Sequence, residues 1–288
     1  MRVHLVDGTF ELYRAHFSKR PDLRAADGRD VKATLGVVDS LLTLTTDARE
    51  GVTHVAVAFD NPIRSFRNDL FDAYKSDEGV PDELRSQFDV VEAAVRALGI
   101  AVWSMNEFEA DDALATGAAK YRDAVEQVRI LTPDKDLGQC LVEGKVVQID
   151  RIREKEITAA SFEQSRGIPP HLMPDFLGLV GDTADGIPGL KGFGEKGAAA
   201  LLRHYGPLER IPTDAWSDLA LRGKDALLAT FRTERELALL YKRLATLRTD
   251  VPLGELASIA YVPQAPDAIR SAFEKLGLPI PRRLRPAE

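Results

Sequence analysis

Short apolar runs rich in branched residues recur through the first half of the chain, and stretches with apolar residues at helical spacing separate them. The predicted strands span residues 3–6, 55–59, 100–103, 128–131 and 145–149, and the predicted helices between them span 35–48, 85–97 and 113–121. Strands that alternate with helices predict an α/β fold with a mostly parallel sheet and helices on both faces. From residue 161 onward the spacing stays helical. We therefore expect an α/β core over residues 1–165 and an α-helical lobe over residues 166–288.

Acidic residues follow three of the predicted strands. Asp7 follows the first strand, Asp60 follows the second, and Asp134 and Asp136 come shortly after the fourth. The carboxyl ends of parallel strands meet at one edge of a sheet, and that edge is where open α/β sheets bind their ligands. The sequence therefore predicts an acidic ligand site at this edge.

More carboxylates lie outside the strands. Glu109, Asp111 and Asp112 begin the next predicted helix, and a later pair comprises Asp182 and Asp185. The alternative for the first group is a capped helix with an acidic first turn, although one Asp would satisfy that need. So many carboxylates at short range require cations to stay ionised. Oxygen ligands favour Mg²⁺ or Mn²⁺, and two such ions suit phosphoryl displacement.

Composition limits the remaining function classes. Cys140 is the only cysteine, which excludes a disulfide framework and a Cys-based zinc site and favours a buried thiol. The net charge is −7, but once the nine acids named above are set aside, the 38 basic residues slightly outnumber the other acids. A nucleic acid is therefore not repelled once metals neutralise the cluster. Neither a leader peptide nor a membrane-length apolar run is evident, so we expect a cytoplasmic protein.

Basic and aromatic residues are interleaved in residues 63–84, beyond the second predicted strand. The basic members are Arg64, Arg67 and Lys75, and the aromatic members are Phe66, Phe71 and Tyr74. Such a segment can follow a phosphate backbone and stack on bases. The alternative is a solvated, irregular surface.

A glycine-rich turn precedes an alanine-rich helix in residues 186–205. It contains Lys191, Gly192, Gly194 and Lys196. Exposed N–H groups at a helix start, with lysines beside them, predict an anion-binding turn suited to phosphate. The alternative is a helical hairpin whose glycines only permit tight turns.

The motifs together resemble the bacterial flap endonuclease and 5′–3′ exonuclease family, which occurs alone or as the N-terminal nuclease domain of DNA polymerase I. The resemblance covers nearly the whole chain. Its motifs are Leu5-Val-Asp-Gly8, Phe59-Asp60, Ser65-Phe-Arg67, Tyr74-Lys75, Glu109-Ala-Asp-Asp112, Ile130-Leu-Thr-Pro-Asp-Lys-Asp-Leu137, Gly181-Asp-Thr-Ala-Asp-Gly-Ile-Pro-Gly189 and Gly192-Phe-Gly-Glu-Lys196.

This resemblance implies a PIN-like nuclease core and a helix–three-turn–helix that grips duplex DNA and in some members holds K⁺. The catalytic metal is expected on Asp7, Asp60, Glu109 and Asp111, and a second metal on Asp112, Asp134, Asp136, Asp182 and Asp185. Lys75 and Arg67 match residues that contact the scissile phosphate or the 5′ strand, and Tyr74 matches a stacking platform. The expected substrates are DNA with 5′ flaps, gaps or single-strand/double-strand junctions and RNA-primed 5′ ends, in replication and repair.

The chain also departs from the family. Ser76, Asp77 and Glu78 follow Lys75 where relatives commonly have basic residues, so the segment is more acidic and shorter. One alternative is therefore a structure-specific DNA-binding protein with weak or lost nuclease activity. A phosphotransfer domain is a third possibility, but Asp7 lacks the second Asp two positions later that a dehalogenase-type phosphatase needs. We expect a monomer and, because nothing polymerase-like follows Glu288, no fused polymerase.

Overall fold

The computed structural model describes residues 1–285; residues 286–288, and with them the chain end to which the polymerase expectation refers, lie outside the described residues. The strands are β1 (Arg2–Asp7), β2 (His54–Asp60), β3 (Ala101–Met105), β4 (Gln127–Leu131), β5 (Val146–Asp150) and β6 (Lys155–Ile157). The helices are α1 (Gly8–His16), α2 (Lys32–Thr46), α3 (Arg67–Leu70), α4 (Asp82–Arg85), α5 (Phe88–Ala97), α6 (Ala110–Tyr121), α7 (Ala159–Arg166), α8 (Met173–Val180), α9 (Glu195–Tyr205), α10 (Lys224–Ala245) and α11 (Pro266–Lys275). Short 3₁₀ helices span Lys135–Cys140, Pro170–Leu172, Leu208–Arg210, Leu256–Ile259 and Arg282–Leu284.

The chain divides into two compact units. The sheet unit comprises Met1–Ser65, Asp77–Thr132 and the described part of Thr249–Glu288, and the helical unit comprises Phe66–Ser76 and Pro133–Arg248. The interleaved basic and aromatic segment is thus shared between the two units.

In the sheet unit, β1 to β4 form a parallel sheet in the order β3-β2-β1-β4. From β1 to β3 the chain moves in one direction across this sheet, and the connection through α6 returns it to the opposite side. Because parallel crossovers are right-handed, α1, α2 and α5 cover one face and α6 covers the other. This confirms the predicted parallel sheet with helices on both faces.

The core of the sheet unit is formed by strands that are buried on both faces. All five residues from Val55 to Phe59 are inaccessible to solvent, which explains why this run is continuously apolar and does not alternate. Helix α6 lies very close to the sheet at Gly117, where an added Cβ atom would lie 2.7 Å from Trp103 and 3.1 Å from Leu5. Glycine therefore sets the height of α6 above the strands.

The helical unit has an apolar core of its own. It includes Trp216 and Phe231, both almost completely buried, and burial of each such side chain contributes about 1.5–3 kcal/mol. Helix α8 packs on α10 at Gly178, where a Cβ would lie 2.8 Å from the Ala238 carbonyl oxygen. Strands β5 and β6 form an antiparallel pair in this unit.

Two elements depart from the sequence-based prediction. Helix α1 is absent from the predicted helices, and Asp7 caps it by accepting a hydrogen bond from the N–H of Phe10. The strand β6 was not predicted, because its three residues are too few for a period to be visible. Within the described residues, no helix is both long and apolar enough to span a bilayer.

Candidate metal centre

Asp7 is fixed at the carboxyl end of β1 by two neutral donors. Its Oδ1 accepts a hydrogen bond of 2.8 Å from the N–H of Phe10, and its Oδ2 accepts one of 2.9 Å from the Thr132 hydroxyl. The residue is 6% exposed. Because Thr132 directly follows β4 and β4 pairs with β1, the carboxylate is held at the edge between these strands. The chain reverses its direction across the sheet at this point, which is where ligands of open α/β sheets bind.

Asp60 connects the end of β2 to the start of α6. Its Oδ1 accepts a hydrogen bond of 2.7 Å from the N–H of Ala110, and its own N–H donates to the Thr9 hydroxyl at 2.8 Å. An acceptor at the first N–H groups of a helix gains from the helix dipole. Asp60 therefore lies at the same sheet edge as Asp7, as the sequence predicts, because β2 ends there beside β1 and the start of α6 binds its carboxylate.

Glu109 and Asp112 form a reciprocal capping box at the start of α6. Asp112 is inaccessible to solvent, and its Oδ2 accepts the N–H of Glu109 at 2.9 Å. Ser65 donates its hydroxyl to Glu109 at 2.6 Å. This placement agrees with the capping alternative for one oxygen of Asp112, and the expected role of Asp112 as a metal ligand stays a prediction. Asp111, between them in the first turn, is partly exposed.

The helical unit contains a second group of acids. Oxygen atoms of Asp136, Asp182 and Asp185 all lie within 4.8 Å of one another, close enough to share one cation. Among the described residues this is the group of three acids or imidazoles that meets that criterion. Asp134 starts the adjoining 3₁₀ turn, where its Oδ1 accepts the N–H of Asp136 at 2.8 Å. The structure thus brings together three of the acids predicted for the second metal, and Asp134 lies in the turn that adjoins them.

The electrostatics of this group are strained. Burial and the negative charges of Asp134, Asp182 and Asp185 together raise the pKa of Asp136 to about 7, although the positive charge of Lys135 opposes this rise. Burial opposes the charge on Lys135, but Asp136, Asp182 and Asp134 raise the pKa of its ammonium above its ordinary value. The buried Oδ1 of Asp136 accepts no hydrogen bond from the described residues. An all-oxygen donor set with an unsatisfied buried oxygen fits a hard divalent cation.

Two lysines supply positive charge to this group. Lys135 pairs with Asp182 and also lies 3.4 Å from Asp136 Oδ1. Lys75 Nζ lies 3.0 Å from Asp185 Oδ1, and the N–H of Lys75 donates to the Asp185 carbonyl at 3.0 Å. Lys75, which was predicted to meet a phosphate, therefore lies against one of the predicted metal ligands.

Arg67 and Tyr74 do not lie where the sequence placed them. Arg67 is 1% exposed and donates from Nε to the carbonyl of Leu244 at 2.7 Å and from Nη2 to that of Thr246 at 3.1 Å. These bonds satisfy carbonyl groups at the end of α10. Tyr74 is 4% exposed and belongs to the apolar core, with its hydroxyl 3.4 Å from Asp185. Burial by distant residues removes both from the predicted DNA-facing surface, whereas Arg64 is exposed.

The glycine-rich loop between α8 and α9 depends on left-handed backbone conformations. Gly186 has φ +73°, and a Cβ there would lie 2.2 Å from the Ala73 carbonyl oxygen. Gly192 has φ +90°, and Gly194 directly precedes the first residue of α9. Lys191 and Lys196 are both exposed. The glycines therefore permit tight turns, which is what the hairpin alternative predicts. The two lysines are accessible to solvent, which an anion-binding site requires.

Sequence reasoning missed several residues that hold or neutralise these acids. They are Thr9, Ser65, Thr132 and Lys135. The available signal was positional, since each lies within a few residues of a strand end or of a predicted ligand. The hydroxyls of Ser65 and Thr132 donate to carboxylates, whereas the hydroxyl of Thr9 accepts the main-chain N–H of Asp60. Lys135, which lies between two acids, offsets their repulsion.

Two protein-family models match this chain. A family model described as the 5′–3′ exonuclease N-terminal resolvase-like domain matches residues 2–167, and one described as the 5′–3′ exonuclease C-terminal SAM fold matches residues 168–267. DNA polymerase I of Rhizobium leguminosarum is 37% identical over 90% of this chain, and that of Bacillus caldotenax is 34% identical over 95%. This chain covers 26% and 31% of the length of those two relatives.

Solved structures agree on the fold. The T5 D15 protein co-crystallised with metal ions has a TM-score of 0.68 at 18% identity, covering 96% of this chain and 98% of that one. The catalytic core of Rad2 in complex with DNA substrate has a TM-score of 0.59 at 15% identity, covering 95% and 87%. At these identities the likeness concerns the fold alone.

Fold, acidic groups and family matches define a nuclease with a resolvase-like domain and a helical SAM-fold domain. The chain belongs to the 5′–3′ exonuclease family. The predicted family, fold class and enzyme class, a 5′ nuclease, are thereby confirmed, and the carboxylate cluster of the helical unit is suited to metal binding.

Proposed function

We propose that the protein is a structure-specific 5′ nuclease, acting as flap endonuclease and 5′–3′ exonuclease on DNA near single-strand/double-strand junctions. The observation that carries the proposal is the cluster of Asp136, Asp182 and Asp185, whose oxygens lie within 4.8 Å of one another and in which the pKa of Asp136 is raised to about 7. Such crowding is unfavourable without a cation and becomes favourable with one.

We propose Mg²⁺ or Mn²⁺ at two sites. The ligands of the catalytic ion are Asp7, Asp60, Glu109 and Asp111, and those of the second ion are Asp134, Asp136, Asp182 and Asp185. When bound, such ions lower the pKa of a coordinated water and stabilise the charge on the leaving oxygen. Hydrogen bonds from Phe10, Thr132 and Ala110 keep Asp7 and Asp60 oriented in advance. That preorganisation lowers the reorganisation needed in the transition state.

Lys75 is proposed to meet the scissile phosphate. Its ammonium lies 3.0 Å from Asp185. If Asp185 served as a metal ligand, Lys75 would be able to exchange that partner for a phosphate oxygen. Arg64, which is exposed, is proposed to contact the 5′ strand. Arg67 and Tyr74 are proposed to position the segment that carries Lys75, because both are buried.

The loop between α8 and α9 is proposed to hold the duplex. Lys191, Lys196 and the N–H groups near Gly192 and Gly194 suit backbone phosphates, a contact that is independent of sequence. Carbonyl groups of the same loop are proposed to hold K⁺. The substrates would be 5′ flaps, gaps and RNA-primed ends in replication and repair, and the enzyme would act in the cytoplasm as a monomer.

The test is cleavage-site mapping on 5′-labelled flap, pseudo-Y and nicked duplexes. EDTA-treated protein should be inactive, and Mg²⁺ or Mn²⁺ should restore cleavage near the junction. The variant Asp182→Asn should bind the flap substrate with much of the wild-type affinity but cleave it far more slowly. Cleavage in EDTA at the full rate would refute the metal-dependent mechanism. Junction binding without cleavage in either metal would favour the DNA-binding alternative.

A further inference from the structure

A cavity in the sheet unit lies directly beside Asp60. It has a volume of about 190 Å³. Its apolar walls are formed by Pro62, Ile63, Val80 and Phe88, and Asp60 and Arg85 are among its polar lining residues. Phe88 is 6% exposed and begins α5, so this wall is part of the packed core. A cavity with apolar walls, an acid proposed to hold metal and a cation has the chemistry of a nucleotide site.

Arg85 is oriented by Asp77. Its Nη1 pairs with the Asp77 carboxylate, and its Nη2 donates to the Asp77 carbonyl at 2.9 Å. Its side chain is 49% exposed. A guanidinium carries five N–H donors in a rigid fork that matches a phosphate. Asp77 therefore holds the fork in place while part of it stays accessible.

The pairing also changes the meaning of the acidic segment. Asp77 is one of the acids that follow Lys75, and by itself it would repel a DNA strand. In the structure its charge is matched by Arg85. A basic group is thus supplied beside this acid from α4, eight residues beyond Asp77.

We propose that this cavity receives a nucleotide that flanks the scissile phosphate, with its base against Ile63, Val80 and Phe88 and its phosphate on Arg85. This inference rests on the proposed nuclease function and adds a specificity-determining residue to it. Asp77 is a positioning residue, because it acts only through Arg85. Base stacking on apolar and aromatic walls is tolerant of sequence, so the site would recognise a nucleotide and not a particular base.

The test compares Arg85→Ala with Arg29→Ala as matched control. Arg29 also pairs with an acid, Asp27, and donates to a main-chain carbonyl, with 43% of its side chain exposed. It does not line the cavity. Flap substrates carry a single neutral methylphosphonate at successive positions around the cleavage site. Affinity is measured in EDTA, which needs no chemistry, and the single-turnover rate is measured in Mg²⁺.

Arg85→Ala should weaken binding about 10- to 100-fold, the range of a hydrogen-bonded charge pair, and lower the salt dependence by about one phosphate. One methylphosphonate should weaken wild-type binding by the same factor and have no further effect in Arg85→Ala. Arg85→Lys should keep the salt dependence but recover only part of the affinity, since it lacks the fork. An abasic analogue at that nucleotide should weaken wild-type binding as well.

Two results would overturn the inference. One is binding by Arg85→Ala within twofold of Arg29→Ala while both melt at the wild-type temperature. The other is additivity of the Arg85→Ala and methylphosphonate effects at every position, which would show that Arg85 contacts none of those phosphates. An abasic analogue without effect would refute the base-binding walls. Wild-type protein that binds in this pattern but never cleaves would instead refute the nuclease proposal and leave the nucleotide site standing.

Discussion

The acids of the two units have different partners. In the sheet unit, Asp7 and Asp60 accept hydrogen bonds from main-chain N–H groups, and a threonine hydroxyl also donates to Asp7. In the helical unit, Asp182 and Asp185 pair with lysines. Neutral donors orient a carboxylate and leave its charge in place. Lysines compensate the charge but occupy the position of a cation. The comparison teaches that main-chain N–H groups orient the acids of the first group, whereas lysines compensate the charge of the acids in the second.

The largest expected effect is on catalysis in the sheet unit. Asp60→Asn keeps an oxygen for the N–H of Ala110 but removes the charge, so the single-turnover rate in Mg²⁺ should fall by several orders of magnitude without loss of thermal stability. The control is Asp30→Asn, since Asp30 also accepts a main-chain hydrogen bond, from Lys32 at 2.9 Å. If the two variants cleaved at similar rates, Asp60 would be only a cap.

The pH dependence of the free energy of unfolding tests a buried histidine of the sheet unit, His4. His4 is inaccessible to solvent and lies 3.2 Å from Glu50; burial lowers its pKa from 6.5 to about 4 despite that hydrogen bond. Between these values the unfolded chain binds the proton more readily, so stability should fall with acidification from pH 6.5 to 4, by up to about 3 kcal/mol. Urea unfolding of wild type and His4→Gln at both pH values measures this. An equal pH dependence in the variant would assign the effect to other groups.

Glycine substitutions test the loop of the helical unit. Gly186→Ala places a Cβ 2.2 Å from the Ala73 carbonyl oxygen at φ +73°, and should destabilise the protein by roughly 1–3 kcal/mol. Gly192→Ala meets the same left-handed penalty at φ +90° but only Leu227 at 3.4 Å. Urea unfolding should therefore show a smaller loss for Gly192→Ala. Equal losses would mean that backbone conformation, and not the close approach, governs this loop.

The smallest expected effect is a change in melting temperature when one charge is removed from the acidic cluster of the helical unit. Asp136→Asn removes a buried charge that three acids disfavour, so in EDTA at pH 8 the melting temperature should rise by roughly 2–4 °C. Added Mg²⁺ should then raise it less than in wild type. Asp150→Asn is the control of opposite sign, since burial opposes its charge but hydrogen bonds from Arg153 lower the pKa of Asp150. A lower melting temperature for Asp136→Asn in EDTA would contradict the strained cluster.

The sequence allowed the parallel strands and the acids at their ends to be predicted because both follow from local patterns. Asp7 and Asp60 need only a strand before them and a parallel neighbour. Burial of Arg67 and Tyr74 could not be predicted, since their surroundings come from α10 and from Asp185, more than 100 residues away. A basic and aromatic segment has the same composition whether it faces solvent or the core.

The close approach of α6 to the sheet has a consequence for how this enzyme can change. Gly117 lies seven residues beyond Ala110, about 10 Å along the helix axis. A methyl group at Gly117 would clash with Trp103 and Leu5. We expect this clash to tilt α6 about that point. The N-terminal end of α6 carries Asp111 and donates the hydrogen bond to Asp60. An apolar substitution two turns away would therefore move these acids and change the reaction rate without replacing any of them.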